Sequence, residues 1–356
     1  MKILHVINSL SAGGAEKLVS ELATAQAEDE EVSLFSFSND HDIFQEKIGK
    51  RVRFFPHYGA GYLSLKTWKE LSRLIKQNDI IHTHLFPSFY IVAILSILHQ
   101  KKTFVYTEHN TYNKRRKCVF YPIERWVYSR YAAVVAISKG VKIALEKWIG
   151  EKKNVKIINN FIDLDAIAAT QFSTILPSIN SNSIKLVMVG SFSEQKDQET
   201  LLRTMAILPS QYELILIGDG PKRKRLTDLA SELQVSDRVH FLGIRKDVIA
   251  ILKGCEYGIL SSHWEGFGIV ALEYMAAGLI TLGSDVSGLN EVVPIAKNLF
   301  TVGDFEFLAK RIQSIQNDDE MYKEIMATQN LAIKNYDIST AKARHLKFYR
   351  TLLKIK

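Results

Sequence analysis

A chain of 356 residues is too long for one ordinary hydrophobic core, so two domains are expected. With 47% hydrophobic and 24% charged residues it has the composition of a soluble globular protein, and its most apolar stretch, 85–98, is too short to span a bilayer and contains Pro87 and two serines, so it reads as a buried helix. The net charge of +8 is uneven: residues 1–165 carry +7 and 101–156 alone carry +10, a local basic feature of the first half for which no nucleic-acid partner is expected.

Residues 2–8 form a short apolar strand, 9–14 a loop with two glycines, and 15–25 a helix, the opening β-α unit of a doubly wound sheet. The loop, SAGGAE, is not G-x-G-x-x-G, so a dinucleotide fingerprint is absent. Further strands are expected at 32–37, 51–55, 80–83, 103–107 and 132–137, with helices at 65–76, 89–99, 121–130 and 139–148 between them. That alternation predicts a mostly parallel sheet, whose ligands bind beyond the carboxyl ends of the strands. His82 and His84 follow one such strand, and Glu108, His109 and Asn110 another. The H-x-H pair has no third ligand at a clear spacing, so no metal is expected there. Basic Lys114, Arg115, Arg116 and Lys117 stand just before Phe120, Tyr121, Trp126 and Tyr128. This mixture suits an anionic membrane surface; a solvated basic loop with Trp126 turned into the core fits the same letters.

A strand at 155–159 leads to Asp163-Leu164-Asp165, which spells D-x-D at a domain boundary and is discounted as a metal motif. The polar stretch 170–183 reads as a linker. The second half restarts with a strand at 184–189, the loop Gly190-Ser191-Phe192-Ser193-Glu194-Gln195-Lys196-Asp197 and a helix at 199–207. Strands follow at 212–217, 239–242 and 257–260, then helices at 269–277, 304–316, 319–335 and 339–353. Cys118 and Cys255 lie far apart with no metal spacing, which suits a reducing compartment and a cytoplasmic location. The apolar run 3–7 is too short for a signal-peptide core.

The densest chemistry lies in 262–292. A strand, a glycine loop (Gly266, Phe267, Gly268) and a helix ended by Gly278 aim backbone N–H groups and a positive helix end at one point, where a diphosphate fits. Glu265 and Glu273 flank that point eight positions apart. Two carboxylates beside a phosphate are tolerated when each bonds a neutral hydroxyl, and sugars supply hydroxyls. The physical reading is a nucleotide-sugar site, with one Glu on a ribose and one near the transferred sugar.

The E-x7-E spacing in EGFGIVALEYMAAG and the trailing Gly288-Leu289-Asn290-Glu291 resemble the donor site of retaining glycosyltransferases of family 4 (glycosyl transferases group 1). The resemblance implies a GT-B α/β fold of two doubly wound Rossmann-like domains facing a central cleft. An acceptor-binding domain at 1–168 and a nucleotide-sugar domain at 184–337 would be joined by a last helix, about 338–356, packing back on the first. It implies transfer of a sugar from a nucleotide sugar, with UDP the first choice, to a saccharide or lipid-linked saccharide in surface polysaccharide or glycoconjugate synthesis, with retention and without a metal or other cofactor. Rival readings are an epimerase or phosphorylase on the same fold, or a non-catalytic nucleotide or polyanion binder. Carried onto this chain, the family's pattern gives Glu265, His109 and Lys196 catalytic roles. It gives donor contacts to Gly14, Ser191, Lys196, Ile244, Arg245, Gly266, Phe267, Gly268, Ile269, Val270 and Glu273. Gly13 and the segment with Lys114, Arg115, Arg116, Lys117 and Trp126 fall on the acceptor or membrane side. Two departures stand out: Ser191 occupies the place of a phosphate-gripping Arg, and Asn159-Asn160-Phe161 replaces a Pro-Asn-Gly turn. Arg245 is the candidate to make good the missing charge.

Overall fold

The computed structural model describes residues 1–354 except 12, 38–43, 58–60, 112, 114–115, 152–153 and 173–181. It divides into two units, Met1–Phe161 with Ile338–Lys356, and Ile162–Asp337.

The first unit contains β1 (Lys2–Ile7), α1 (Gly14–Gln26), β2 (Glu31–Ser36), β3 (Arg53–Pro56), α2 (Leu65–Gln77), β4 (Ile80–His84), α3 (Ser88–Leu95), β5 (Thr103–Glu108), α4 (Tyr121–Ser129), β6 (Ala133–Ala136), α5 (Lys139–Ile149) and β7 (Val155–Ile157). The described strands pair in parallel in the order β3-β2-β1-β4-β5-β6-β7. The order reverses between β1 and β4, the switch point at which doubly wound sheets take ligands. Both sheet faces are covered, so the strands are apolar on both sides. Leu4, Val6, Ile81 and Tyr106 pack against α2, α3 and α4 residues on one face, and Ile3, Ile7, Ile80 and Val105 against α1 on the other. The C-terminal helix, Ile338–Lys354, lies on α1 and adds Leu346, Tyr349 and Leu352 to the second of these clusters. In the apolar 85–98 stretch, α3 buries Phe89, Ile91, Val92 and Leu95, while Ile94, Ile97 and Leu98 stay exposed.

The second unit contains α6 (Leu164–Ala169), β8 (Ile184–Val189), α7 (Gln198–Ile207), β9 (Tyr212–Ile217), α8 (Arg223–Glu232), β10 (Val239–Gly243), α9 (Val248–Leu252), β11 (Tyr257–Leu260), α10 (Ile269–Ala277), β12 (Ile280–Ser284), α11 (Leu289–Val292), β13 (Leu299–Phe300), α12 (Phe305–Gln316) and α13 (Asp319–Ile333). Its sheet is parallel in the order β10-β9-β8-β11-β12-β13. The first boundary moves from the expected 168 to 161, because α6 packs on α10 and the Ile162 N–H donates to the Tyr336 carbonyl at 2.9 Å. Much of the expected linker lies outside the described residues.

Candidate functional site

In the second unit β11 is sandwiched between β8 and β12, so its carboxyl end lies beside the loop that leaves β8. Two serines follow β11, both fully buried. The Ser261 hydroxyl donates to the Asp197 carbonyl at 2.7 Å, and the Ser262 hydroxyl donates to Glu265 Oε1 at 2.8 Å. The His263 N–H reaches the Gln195 carbonyl at 2.8 Å, and Gln195 Nε2 donates to the Trp264 carbonyl at 2.9 Å. These bonds fasten the 190–197 loop to the 261–268 loop and set Lys196 against Glu265 as an ion pair. The two side chains are only 16% and 9% exposed, which strengthens their attraction over that of a surface pair. Gly190 makes this possible: a Cβ there would touch the Lys196 chain at 3.3 Å.

Gly268 sits at φ 85° as the N-cap of α10, with no side chain to cap the first turn. The Ala271 N–H donates to the Gly268 carbonyl at 2.9 Å, while those of Ile269 and Val270 ahead of it have no intrahelical acceptor. A Cβ on Gly268 would meet Leu289 at 2.5 Å, so two reasons fix glycine there. Phe267 is buried with its ring 5.7 Å from that of Tyr336, which anchors the loop from below. Ile269 and Val270 open the helix, and Glu273 is buried one turn further on. Thus Lys196, Glu265, the 266–268 loop and the α10 N-terminus share one end of the sheet, and Glu273 follows on the helix that starts there.

The remaining residues expected on the donor side lie on neighbouring loops. Ser191 is exposed, its hydroxyl 3.2 Å from that of Ser193. Gly218 at φ 137° lets its backbone press against Gly190, and its N–H donates to the Gly243 carbonyl at 2.8 Å. Ile244 is 83% exposed. Arg245 does not stand open: its guanidinium grips Asp247 in a two-point bond of 2.8 and 2.7 Å, which holds the Asp247 carboxyl below its usual range. Arg223, not singled out in the sequence, lies 4.6 Å over the Phe241 ring beside this loop. Ser261 and Ser262 were also not singled out; the signal was a pair of serines directly after an apolar strand. Asp163 caps α6, accepting from the Ala166 N–H at 2.8 Å, and Asp165 is exposed, which gives the D-x-D letters a local structural role.

In the first unit Gly13 is the N-cap of α1 and Gly14 its first residue, and a Cβ on Gly13 would collide with the Glu16 side chain. His109 follows β5; its Nε2 is buried without a partner, and burial pushes its pKa down to about 4, so the ring is neutral at pH 7. Neighbouring Glu108 is buried and accepts from the Tyr128 hydroxyl at 2.8 Å and from Arg116 at 3.3 Å. Arg116 also donates to the Thr111 carbonyl at 2.8 Å. Arg116, expected on the acceptor or membrane side, is thus ion-paired within the unit and little exposed. Lys114 and Arg115 lie outside the described residues; Lys117 is exposed. Trp126 is 41% exposed, so its ring is not a core residue. Among the described residues one histidine group has metal-ligand proximity: His5, His82 and His84, whose ring nitrogens lie within 4.8 Å of one another. His5 supplies the third member that the sequence spacing did not reveal.

Two family models match the chain: Glycosyltransferase Family 4 over residues 12–166 and Glycosyl transferases group 1 over 176–329. The chain is 26% identical over 198 residues to N-acetyl-alpha-D-glucosaminyl L-malate synthase of Bacillus anthracis, a match that spans 54% of this chain and about half, 52%, of that protein. It is 24% identical, over 98% of both chains, to a Campylobacter jejuni alpha-1,4-N-acetyl-D-galactosaminyltransferase whose name specifies a GalNAc-bearing undecaprenol diphosphate. The crystal structure of HepE from Anabaena in complex with UDP and glucose superposes with a TM-score of 0.85 at 22% identity, covering 99% of this chain and 100% of that one.

Proposed function

The chain belongs to the family 4, group 1 glycosyltransferases and has their GT-B fold of two Rossmann-like units, and we propose that it moves a sugar from a UDP-sugar to a saccharide or lipid-linked saccharide with retention of configuration. The observation that carries this reading is the buried Lys196–Glu265 pair beside the uncapped start of α10, with Glu273 one turn into that helix. Lys196 and the α10 amides face the diphosphate and take up the charge that grows as it departs. Glu265, held by Ser262, accepts hydroxyls of the transferred sugar, and Glu273 accepts the ribose hydroxyls. The leaving diphosphate takes the acceptor's proton, so no protein nucleophile is required. Within the first unit, His109 holds a neutral imidazole at the carboxyl end of β5. UDP is favoured by the nucleotide bound to HepE. The test is a thermal-shift screen of nucleotide sugars followed by an assay of UDP release with and without acceptor. A UDP-sugar that raises the melting temperature and yields UDP only when an acceptor is present supports transfer. Sugar inversion without UDP release means an epimerase instead.

The acceptor side of the reading is an anionic membrane surface on the first unit. Val119, Ile123 and Trp126 are exposed at helical spacing, Phe120 is exposed among them, and Lys117 and Arg125 stand beside them. Ile94, Ile97 and Leu98 are exposed at the end of α3, which packs on α4. Among the described residues no helix is long and apolar enough to cross a membrane, so attachment here is by a face. Each basic residue near anionic lipid contributes about 1 kcal/mol. Sedimentation with phosphatidylglycerol vesicles at low salt should carry down the wild type but not the Ile123→Ser, Trp126→Ser, Arg125→Ser variant. Equal behaviour of the two proteins removes the membrane from the proposal and leaves a soluble acceptor.

A further inference from the structure

His5 and His82 are register partners across β1 and β4, so their side chains leave the sheet on one face, and His84, two residues on, leaves on the same face. All three are buried, with ring centroids 4.2 to 5.4 Å apart. His5 Nδ1 and His84 Nε2 face each other at 3.1 Å. With metal–nitrogen bonds of about 2.0–2.1 Å, two imidazoles on a tetrahedral ion stand roughly 3.3 Å apart, so this pair is nearly at ligand spacing already. The far nitrogens are held as ligating histidines usually are. His5 Nε2 donates to Gln26 Oε1 at 2.8 Å, and His82 Nδ1 bonds the Tyr349 hydroxyl at 2.5 Å. With Nε2 of His5 protonated, its Nδ1 accepts from His84 Nε2–H, which leaves His84 Nδ1 a bare, buried lone pair without a partner. Beside the triad is a cavity of about 20 Å³ lined by His84, Thr107, His109 and His345, room for one water.

We propose that His5, His82 and His84 form a binding site for a borderline divalent cation of the zinc class, which ties β1 to β4 within the first unit. Imidazole nitrogens select Zn2+, Co2+ or Ni2+ over Mg2+ and Ca2+. The ion takes the place of the proton between His5 and His84. That proton moves to His84 Nδ1, so both rings stay neutral and no net proton is released. With Nδ1 kept on Tyr349, His82 turns Nε2 from the Thr107 hydroxyl, which it meets at 2.6 Å, to the ion, and a water in the adjoining cavity completes a four-coordinate set.

The experiment titrates cobalt(II) chloride into metal-stripped full-length protein and follows visible absorption and melting temperature. The expected result is the intense d–d band of tetrahedral cobalt saturating at one equivalent, with a rise of roughly 5–10 °C in melting at a hundredfold excess over Kd. His84→Phe should abolish both signals. Should His84→Phe fail to fold, Gln26→Leu provides the second test, because loss of the group behind His5 weakens metal binding about 10- to 100-fold. His99→Ala, outside the triad, should keep both signals. No band at millimolar cobalt, or a band unchanged by His84→Phe and Gln26→Leu, overturns the site. Neither readout uses sugar transfer, so the outcome is independent of the donor reading.

Discussion

Replacing Gly218 by Ala tests how the loop proposed to meet the diphosphate is built. An added Cβ would lie 2.0 Å from the Gly190 carbonyl oxygen, well inside contact distance, and Gly218 holds φ 137°, where an L side chain is strained. The oxygen has little room to retreat. Its own residue's N–H donates to the Ile217 carbonyl at 2.9 Å, Gly218 donates to Gly243 at 2.8 Å, and Phe192 donates to Asp219 at 2.9 Å. Breaking one or two of these costs about 0.5–1.5 kcal/mol each, and the backbone strain adds about 1–2 kcal/mol. The sum is about 3 kcal/mol. For a unit of this size each kcal/mol lowers the melting temperature by about 2–4 °C, so a loss of about 6–12 °C is expected. UDP binding should fall by more than the stability loss implies, because Ser191 and Lys196 ride on the displaced loop. Calorimetric melting and UDP titration measure both quantities. Gly278→Ala is the control: its φ is also positive, 91°, but there is open space around the new Cβ, and it should lose only the strain of that conformation. If Gly218→Ala melts and binds UDP as the control does, the contact between the two loops does not position the diphosphate site.

Glu273→Ala should weaken UDP binding about 10- to 100-fold, the loss of a ribose hydrogen bond to a charged group worth about 1.5–3 kcal/mol, as read by titration calorimetry. Glu265→Gln should lower kcat with a smaller change in UDP affinity; wild-type turnover in this variant would remove Glu265 from the mechanism. Ser191→Arg should fold, because the side chain is exposed, and bind UDP about tenfold more tightly through a charged phosphate contact; weaker binding would mean that the loop meets the phosphate another way. On the proposed roles of Lys196 and the α10 amides at the diphosphate, and of the proposed histidine cation as a structural ion, transfer should persist in EDTA; loss of activity restored by Mg2+ would refute this.

What could be read from the letters followed from burial on two faces. Strands such as β9, Tyr-Glu-Leu-Ile-Leu-Ile, and β11, Tyr-Gly-Ile-Leu, stand out because a parallel sheet covered by helices needs nearly unbroken apolar runs. β12 and β13 escaped notice: one ends in Gly-Ser, and the other is two residues long. α8 escaped because five of its ten residues are charged and only Leu226, Leu229 and Ala230 are buried. The glycine loop and its two acids are local, so they were visible. The partners that give them chemistry are not local: Lys196 meets Glu265 across 69 residues, and His5 meets His84 across 79. No spacing rule reaches that far. The pairing of Arg116 is hidden for a related reason, since four adjacent basic letters look alike until the fold brings one of them to the buried Glu108.

The bond between His82 and Tyr349 joins residues 267 positions apart, and Leu346 and Leu352 beside it complete an apolar cluster begun by Ile3 and Ile7. Vectorial synthesis therefore delivers the first unit unfinished. Its sheet leaves the ribosome early with one flank of α1 unsheltered, and stays so while the whole of Ile162–Asp337 is made. The second unit carries both of its own ends and can fold as soon as it emerges. A chain stopped before Ile338 would thus pair a second unit able to fold with a first unit that still exposes one apolar flank of α1.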